Sequence, residues 1–375
     1  MTRCPEKEKK MRELNREDLM NILIGCTILG TGGGGSLEEG IQNIDEALAA
    51  GKKFRLVDFD ELDPEDMIGT PYACGAISPL TEEEKQKYAR LKETDESMYL
   101  LNMRQLENFL RQDVAAVIST ELGGGNTAAA FYVAAMTDKL IIDGDPAGRS
   151  VPALQHSTYY LKGIPICPMA VMNLFGEGAV FTNVCDDERG EELVRGLAVL
   201  SRNTIAVIDH VNTVKVLKDA VIRGAISYAE QIGKAFRDTK AAGGDYVSAV
   251  ISAGKGKLMF KGVVTESSFE TRDGYTFGDT VLKGEGDYAG HTLHIWYQNE
   301  NIISWLDGEP YVTVPDLICF FNLDEAFPQL NPYAKVGEHA AIAALPAPVE
   351  WTTPRGLEVF GPKSFGYDID YKPFC

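Results

Sequence analysis

The chain has 375 residues, of which 45% are hydrophobic and 24% are charged, and its formal net charge is −19. This length predicts two domains whose cores are large enough to need no disulfide or metal staple. Because a strongly acidic surface repels phosphate groups, nucleic acid and anionic membrane surfaces are excluded as favoured partners.

The sequence predicts a cytoplasmic protein. The charged start, residues 1–10, does not resemble a signal peptide, and no run of about 18 apolar residues predicts a membrane span. The seven cysteines are scattered and form no C-x-x-C motif, which is typical of reduced thiols.

The first third of the chain alternates helical and strand patterns. Asn15 precedes an apolar pattern that reaches Leu29, and acidic residues in the first turn indicate a helix start there. Further helices are predicted over 37–50, 81–93 and 101–112, and a short strand over 54–57.

The clearest unit is a strand, a helix and a second strand. Residues 114–120 form a short apolar run, residues 127–136 are rich in alanine, and residues 139–142 are apolar again. A strand–helix–strand unit of this length predicts parallel strands in one sheet.

After about residue 185 the pattern changes. Helices are predicted over 191–200 and 214–235, and β-rich pieces separated by turn residues follow at 258–264, 280–283, 292–297, 302–306 and 311–314. We therefore predict an N-terminal α/β domain with parallel strands, residues 1–175. A C-terminal mixed domain rich in antiparallel β structure is predicted for residues 176–375.

The glycine run Gly30–Gly35 has two interpretations. It satisfies G-x-G-x-x-G, but a helix pattern rather than a strand precedes it, and no P-loop lysine follows, so a nucleotide site is disfavoured. The run either ends a helix or forms a nest of N–H groups that binds an anion or carbonyl.

A second loop, Glu121–Asn126, directly follows the predicted strand 114–120 and contains three glycines. Ligands of open α/β sheets bind beyond the carboxyl ends of parallel strands, so the loop predicts a binding site. Asn126 is alternatively a helix cap.

Asp143 and Asp145, with Arg149, follow the next predicted strand and are expected beside Glu121. A carboxylate with a like neighbour has a raised pKa and suits general base catalysis. The alternative is an Arg149–Asp145 ion pair that stiffens the loop. His156 adds the option of an Asp143, Asp145 and His156 metal set, although the five histidines show no metal-ligand spacing.

The polar run 298–301 separates two β pieces. It is interpreted either as a hairpin turn, which asparagine favours, or as part of the lining of a cleft between domains.

At these loops the sequence resembles the S-methyl thiohydantoin desulfurase family, over roughly residues 15–373. The residues that carry the resemblance are Leu29-Gly-Thr-Gly-Gly-Gly-Gly35, Glu121 with Gly123-Gly-x-Asn126, Asp143-x-Asp145 with Gly148-Arg149, Pro152, Gln155, Gln298-Asn-Glu-Asn301, Val314-Pro-Asp-Leu-Ile318, Trp351-Thr and Gly361-Pro-x-x-Phe-Gly-Tyr-Asp368. His156 departs from the apolar residue that is usual in this family after Gln155.

The resemblance implies a hydrolase. In the reaction it implies, water displaces methanethiol from C2 of an S-methylated thiohydantoin and leaves a hydantoin. It also implies five-membered cyclic ureides as the substrate class and association with hydantoinase/oxoprolinase-type enzymes. Independently of the resemblance, a homo-oligomer is expected. The alternatives are a ligand-binding, non-catalytic subunit of such an assembly and a ring-opening cyclic amidohydrolase.

The site hypothesis assigns proton transfer to Asp143 or Asp145, with Glu121 or His156 as the acid, and assigns Arg149 to anchor a carboxylate. Substrate binding is assigned to Gly32, Gly33, Gly34, Gly123, Gly124, Gly125, Asn126, Gln155, Asn299 and Asn301. The cofactor is unknown, and a divalent ion that activates water is kept as a variant without a clear ligand motif.

Overall fold

The computed structural model describes residues 11–76 and 78–374, so the charged start at residues 1–10 lies outside it. The chain folds into an N-terminal α/β domain and a C-terminal antiparallel β domain, each built on an eight-stranded sheet. Five cysteines in the described part of the chain are free thiols, and Cys4 and Cys375 lie outside it. No helix of the described residues is long and apolar enough to cross a membrane.

The first sheet contains a parallel centre with antiparallel strands on both sides. Its strands lie in the order Arg12–Leu14, Phe54–Val57, Leu140–Ile142, Ala116–Val117, Met67–Gly75, Thr204–Thr213, Met169–Met172 and Gly178–Phe181. The predicted strand–helix–strand unit is confirmed, although its first strand is reduced to two residues.

The helices differ in length and several have side-chain caps. Asn15 and Asp18 form a reciprocal capping box, which confirms the helix start read from the sequence. The α-helices are Arg16–Leu29, Leu37–Ala49, Glu82–Lys87, Met98–Leu110, Gly124–Met136, Thr158–Leu161, Asp187–Val199, Val214–Leu217, Ala225–Ala241, Tyr246–Gly254 and Pro354–Phe360. Short 3₁₀ helices span Phe59–Glu61, Gly286–Tyr288 and Pro362–Phe365.

The predicted helix over 214–235 is wrong in its first half. Only Val214–Leu217 is helical there, and Ile222–Arg223 pairs with Gly144–Asp145 as a two-stranded ribbon. The long helix begins after Gly224, whose φ of +77° is a left-handed conformation that glycine adopts without strain.

The second sheet is antiparallel throughout, as the alternating β pieces predict. Its strands lie in the order Glu309–Thr313, Glu300–Leu306, Thr292–Gln298, Tyr275–Gly284, Lys257–Arg272, His339–Leu345, Leu317–Asn322 and Phe327–Pro328.

The two domains share a hydrophobic core. One buried cluster includes Leu19 and Leu23 of the first helix together with Phe236, Leu317 and Phe321. Continuous apolar burial of this kind holds the domains in one relative position, so a cavity between them has a defined shape.

Candidate functional site

A cavity of about 820 Å³ lies where the two domains meet. Gly33 and Glu121 contribute from the glycine loops, Asp209 comes from the first sheet, and Glu300 and Asn331 come from the C-terminal domain. A concave site between domains that collects buried ionisable groups is the default location for ligand binding.

The two glycine loops pack against each other. A Cβ on Gly34 would lie 2.4 Å from Cα of Gly123, and the N–H groups of Gly125 and Asn126 donate to the Gly34 carbonyl at 2.9 and 3.0 Å. Glycine is required here because the two backbones approach so closely.

This packing corrects part of the site hypothesis. Gly32, Gly33 and Gly34 line the cavity, whereas the lining does not include Gly123, Gly124 or Gly125. The N–H of Gly125 is consumed by the neighbouring loop and the N–H of Gly123 faces Thr127 Oγ1 at 3.3 Å, so neither is directed at a ligand.

The N–H groups of Gly34, Gly35 and Ser36 have no acceptor within residues 11–76 and 78–374. These groups line the cavity and lead into the helix Leu37–Ala49, whose N-terminus adds a partial positive charge. The nest interpretation therefore has a geometric basis in this loop.

Glu121 is held as a hydrogen-bond acceptor at the cavity wall. Its Oε1 accepts from the Asn126 side-chain amide at 2.7 Å and its Oε2 from the Val151 N–H at 2.8 Å. Burial raises the pKa of Glu121, and these two donors oppose that rise by stabilising the carboxylate. Asn126 also accepts from the Ala73 N–H at 3.0 Å, so it links the carboxylate to the sheet.

Glu300 is the second cavity carboxyl group, and the sequence hypothesis passed over it in favour of the asparagines beside it. Its side chain is 2% exposed, and its buried Oε2 has no partner among the described residues. Burial raises the pKa of Glu300 well above the ordinary value, and the charge of Glu121 adds to the rise. Burial therefore favours the neutral carboxylic acid at Glu300, which shares the cavity with Glu121.

Asn299 and Asn301 flank Glu300 at the tight bend between two strands. Asn299 lines the cavity, although its Oδ1 accepts from the Thr276 N–H at 2.9 Å. Asn301 is absent from the lining and donates to the Ile318 carbonyl at 2.9 Å. The bend therefore is a hairpin and also contributes to the cavity, so the two interpretations of 298–301 describe the same structure.

Asp143 and Asp145 do not reach the cavity. The buried Asp145 carboxylate accepts from the Gly148 N–H at 2.8 and 2.9 Å, and Asp143 accepts from the Ser227 N–H at 2.9 Å. Neither belongs to the cavity lining. This corrects the expectation that they act on a substrate, because both carboxylates hold backbone in place.

Arg149 is fully buried, and all five of its N–H groups are used. Nη1 donates to the Pro315 and Asp316 carbonyls at 3.2 and 3.0 Å. Nη2 donates to Thr31 Oγ1 at 2.7 Å and to the Asn301 carbonyl at 3.1 Å, and Nε donates to Ser150. Because a guanidinium has five donors, none remains for a substrate carboxylate. Arg149 therefore neither anchors a substrate carboxylate nor pairs with Asp145, although the sequence predicted one of these roles. It instead links the two domains through its hydrogen bonds.

His156 lines the cavity between two aromatic rings, Phe360 at 4.8 Å and Phe365 at 5.4 Å between centroids. Burial, with the charge of Arg149, lowers the pKa of His156 to about 3. The imidazole is therefore neutral and does not act as the expected cationic acid. Gln155 lies outside the lining, with its buried Oε1 unpartnered among the described residues.

An array that the sequence hypothesis missed forms the floor of the cavity. Tyr72 donates to Asp209 Oδ2 at 2.6 Å, and His210 contacts Asp209 Oδ1 through Nδ1 at 3.0 Å and Asp187 Oδ2 through Nε2 at 3.2 Å. The ring of His210 stacks on Tyr159 at 4.6 Å. Burial lowers the pKa of His210, but Asp209 and Asp187 outweigh it and raise the value to about 9.

A β-bulge places the consecutive residues Asp209 and His210 at the same cavity. Thr70 pairs with Asp209 and Ile68 pairs with Asn212, so two residues of one strand oppose a single residue of the other. His210 has a φ of +44°, a conformation that costs a residue other than glycine about 1–3 kcal/mol and is concentrated at functional sites. An Asp–His pair inside the apolar run 205–211 was the signal available in the sequence, because burying charge in a strand is costly.

No cluster of three or more His, Cys, Asp or Glu side chains within residues 11–76 and 78–374 is arranged to hold a metal ion. The alternative set of Asp143, Asp145 and His156 is therefore not assembled.

Comparisons with known proteins agree with this two-domain arrangement. A family model described as the S-Me-THD-like N-terminal domain matches residues 17–183, and the corresponding C-terminal domain model matches residues 185–374. The chain is also similar to the X-ray crystal structure of a protein from Chromobacterium violaceum, a Northeast Structural Genomics Consortium target. That likeness has 23% identity and a TM-score of 0.74, and it covers 97% of this chain and 100% of the other. It supports the fold. No curated protein matches the sequence.

Proposed function

This chain belongs to the S-methyl thiohydantoin desulfurase-like family, and we propose that it hydrolyses an S-methylated thiohydantoin. Water replaces the methylthio group at C2 of the ring, and the products are a hydantoin and methanethiol. The observation that carries this proposal is the pair of buried carboxyl groups, Glu121 and Glu300, which share one cavity and differ in their hydrogen bonds. Glu121 accepts from two donors, whereas Oε2 of Glu300 has no partner among the described residues.

The reaction needs both a base and an acid, because water must lose a proton while the ring nitrogen gains one. Two neighbouring carboxyl groups supply this combination when one is ionised and the other is neutral. The donors from Asn126 and Val151 favour ionised Glu121. The unpartnered, buried Oε2 favours neutral Glu300.

In the first step the Glu121 carboxylate takes a proton from water while the water oxygen bonds to C2. Glu300 gives its proton to the ring nitrogen of the C=N bond, and a tetrahedral intermediate forms. In the second step Glu300 takes the hydroxyl proton, the carbonyl forms and the C–S bond breaks. The leaving methanethiolate takes the proton from Glu121, so both carboxyl groups return to their initial states.

The nest of N–H groups at Gly34, Gly35 and Ser36 suits the ring carbonyl that does not react. Backbone donors of this kind stabilise charge on a carbonyl oxygen and need no reorganisation when the reaction occurs. His156, as a neutral imidazole, offers a further hydrogen bond to the ring.

The decisive experiment incubates the purified protein with an S-methyl thiohydantoin and with its unmethylated thio analogue, before and after treatment with a chelator. We expect methanethiol from the first compound and a product in which oxygen replaces SCH₃. A product heavier by one water would instead indicate ring opening. Turnover that is lost on chelation would contradict the two-carboxyl mechanism.

A variant links the reaction to the site. Glu300→Gln keeps the shape of the side chain but removes its proton, and we expect kcat to fall by about 10²–10⁴-fold. Glu309→Gln is the matched control, since Glu309 is exposed at the start of an edge strand of the same domain, and we expect it to leave kcat unchanged. Absence of thiol release together with copurification of a hydantoinase/oxoprolinase-type enzyme would replace the proposal by the binding-subunit alternative.

A further inference from the structure

We propose that Asp209 accepts a hydrogen bond from a ring N–H of the substrate, and that His210 and Asp187 are positioning residues for this carboxylate. The inference rests on the proposed function, since it names the feature of the cyclic substrate that the cavity floor recognises. According to this inference, the site is specific for a five-membered ring that has a free N–H group.

Asp209 and His210 occupy an irregular position in their strand. In a regular strand, consecutive side chains point to opposite faces of the sheet. The bulge opposite Gly69 breaks this alternation, and both Asp209 and His210 line the cavity. The strained backbone of His210 persists only because surrounding contacts hold it, including its N–H bond to the Ile166 carbonyl at 3.0 Å.

The hydrogen bonds within the array leave Asp209 able to accept from a ligand. Both ring nitrogens of His210 face carboxylates, Asp209 and Asp187, so both nitrogens donate and the ring is an imidazolium. The Tyr72 hydroxyl donates its hydrogen bond to Asp209. Each carboxyl oxygen of Asp209 therefore accepts one hydrogen bond and retains a lone pair. The array can accept hydrogen bonds from a ligand, but it has no free donor for one.

The array is acidic in balance, because it contains two buried carboxyl groups, Asp187 and Asp209, and one basic group, His210. A buried negative charge favours an N–H donor over a carbonyl or an anion. The ureide N–H, which is polarised by its neighbouring carbonyl, meets this requirement.

Asp187 acts on the substrate only through His210. It lies 3% exposed at the start of the helix Asp187–Val199, and its contact at Nε2 fixes the imidazolium while Nδ1–H fixes Asp209. Removing its charge leaves Asp209 as the one carboxyl group of the array facing the ring, so we expect the pKa of His210 to fall and the ring to be neutral at pH 8. A neutral ring holds Asp209 less firmly than an imidazolium does.

The test measures binding rather than turnover. Hydantoin, N1-methylhydantoin and N3-methylhydantoin are titrated into the full-length protein by calorimetry. We expect methylation at one of the two nitrogens to weaken binding by about ten- to a hundredfold, as loss of a hydrogen bond to a charged group does. In Asp209→Asn, we expect weak binding of all three compounds with that difference largely gone.

Asp187→Asn is the test of positioning. We expect weaker hydantoin binding and loss of the imidazolium ¹⁵N signals of His210 by NMR at pH 8, where the wild type retains them. Asp186→Asn is the matched control, since Asp186 caps the same helix from an exposed position and Asn also caps well. We expect it to leave both readouts unchanged.

The outcomes separate this inference from the proposed reaction. Equal sensitivity to N-methylation in the wild type and Asp209→Asn, absence of hydantoin binding, or unchanged imidazolium signals in Asp187→Asn would overturn the inference. N–H-dependent binding without thiol release would uphold it and overturn the reaction. Thiol release with an unaltered KM in Asp209→Asn would do the reverse.

Discussion

Gly33 and Glu300 occupy neighbouring space, because a Cβ added to Gly33 would lie 1.8 Å from Oε1 of Glu300. Gly33 has no positive φ, so its role is to leave room rather than to permit a special backbone conformation. A glycine of the N-terminal domain thus admits the carboxyl group that the C-terminal domain contributes to the cavity.

We expect Gly33→Ala to displace Glu300 and to lower kcat by at least about tenfold, since catalytic groups tolerate little misplacement. Thiol release measures the effect, and the melting temperature shows whether the fold persists. Gly196→Ala is the control, because Gly196 lies in a helix with open space around it and alanine there stabilises a helix by about 1 kcal/mol. Full activity in Gly33→Ala would contradict the placement of Glu300 in the mechanism.

Glu300 should make the protein less stable as the pH rises. Burial raises the pKa of Glu300 in the folded state, so its stabilising contribution is complete below the unfolded value of about 4.5 and is lost at higher pH. We expect the melting temperature of Glu300→Gln to exceed that of the wild type by an amount that grows as the pH rises above the unfolded value and levels off once Glu300 is ionised in the folded protein. A constant difference from pH 5 to pH 9 would show that Glu300 is ionised in the folded protein.

His210 gives a second pH dependence. The folded pKa of about 9 lies above the ordinary value of 6.5, so the stabilisation is complete below about pH 6.5 and disappears as the pH rises through 9. At about 1.4 kcal/mol per unit of pKa, the contribution is on the order of 3 kcal/mol. Chemical denaturation at several pH values should show this decline in the wild type and not in His210→Gln. A parallel decline in both proteins would contradict the assignment of an imidazolium.

Arg149 is expected to stabilise the fold rather than bind substrate. Arg149→Lys removes the planar fork and leaves buried carbonyls without donors, which costs about 3 kcal/mol or more. We expect a clear fall in melting temperature. We also expect any change in KM to be the same for substrates with a carboxylate and for substrates without one. Arg16→Lys, in a side chain that is 56% exposed, changes stability by about 0.5 kcal/mol or less. A KM increase confined to carboxylate-bearing substrates would restore the anchoring role.

The local features of this protein were predictable from sequence. The capping box at Asn15, the parallel strands around the helix Gly124–Met136 and the antiparallel C-terminal sheet follow from periodicity and cap chemistry, which act within a few residues. The loops at Gly30–Gly35, Glu121 and 298–301 were also found, because glycine and polar runs after apolar segments are visible locally.

The tertiary structure alone decided which side chains those loops present to the cavity. Asp145 and Arg149 carry the residue types of a catalytic site, yet Asp145 accepts from backbone N–H groups, and Arg149 donates to four backbone carbonyls and to Thr31 Oγ1. Asp209 and His210 both reach the cavity because their strand forms a bulge against a strand more than 130 residues earlier in the chain. The periodicity of a segment depends on interactions between residues that are close in sequence. The partner of a buried polar group depends instead on long-range strand pairing and on contacts between domains, and these contacts decide the charge and the role of that group.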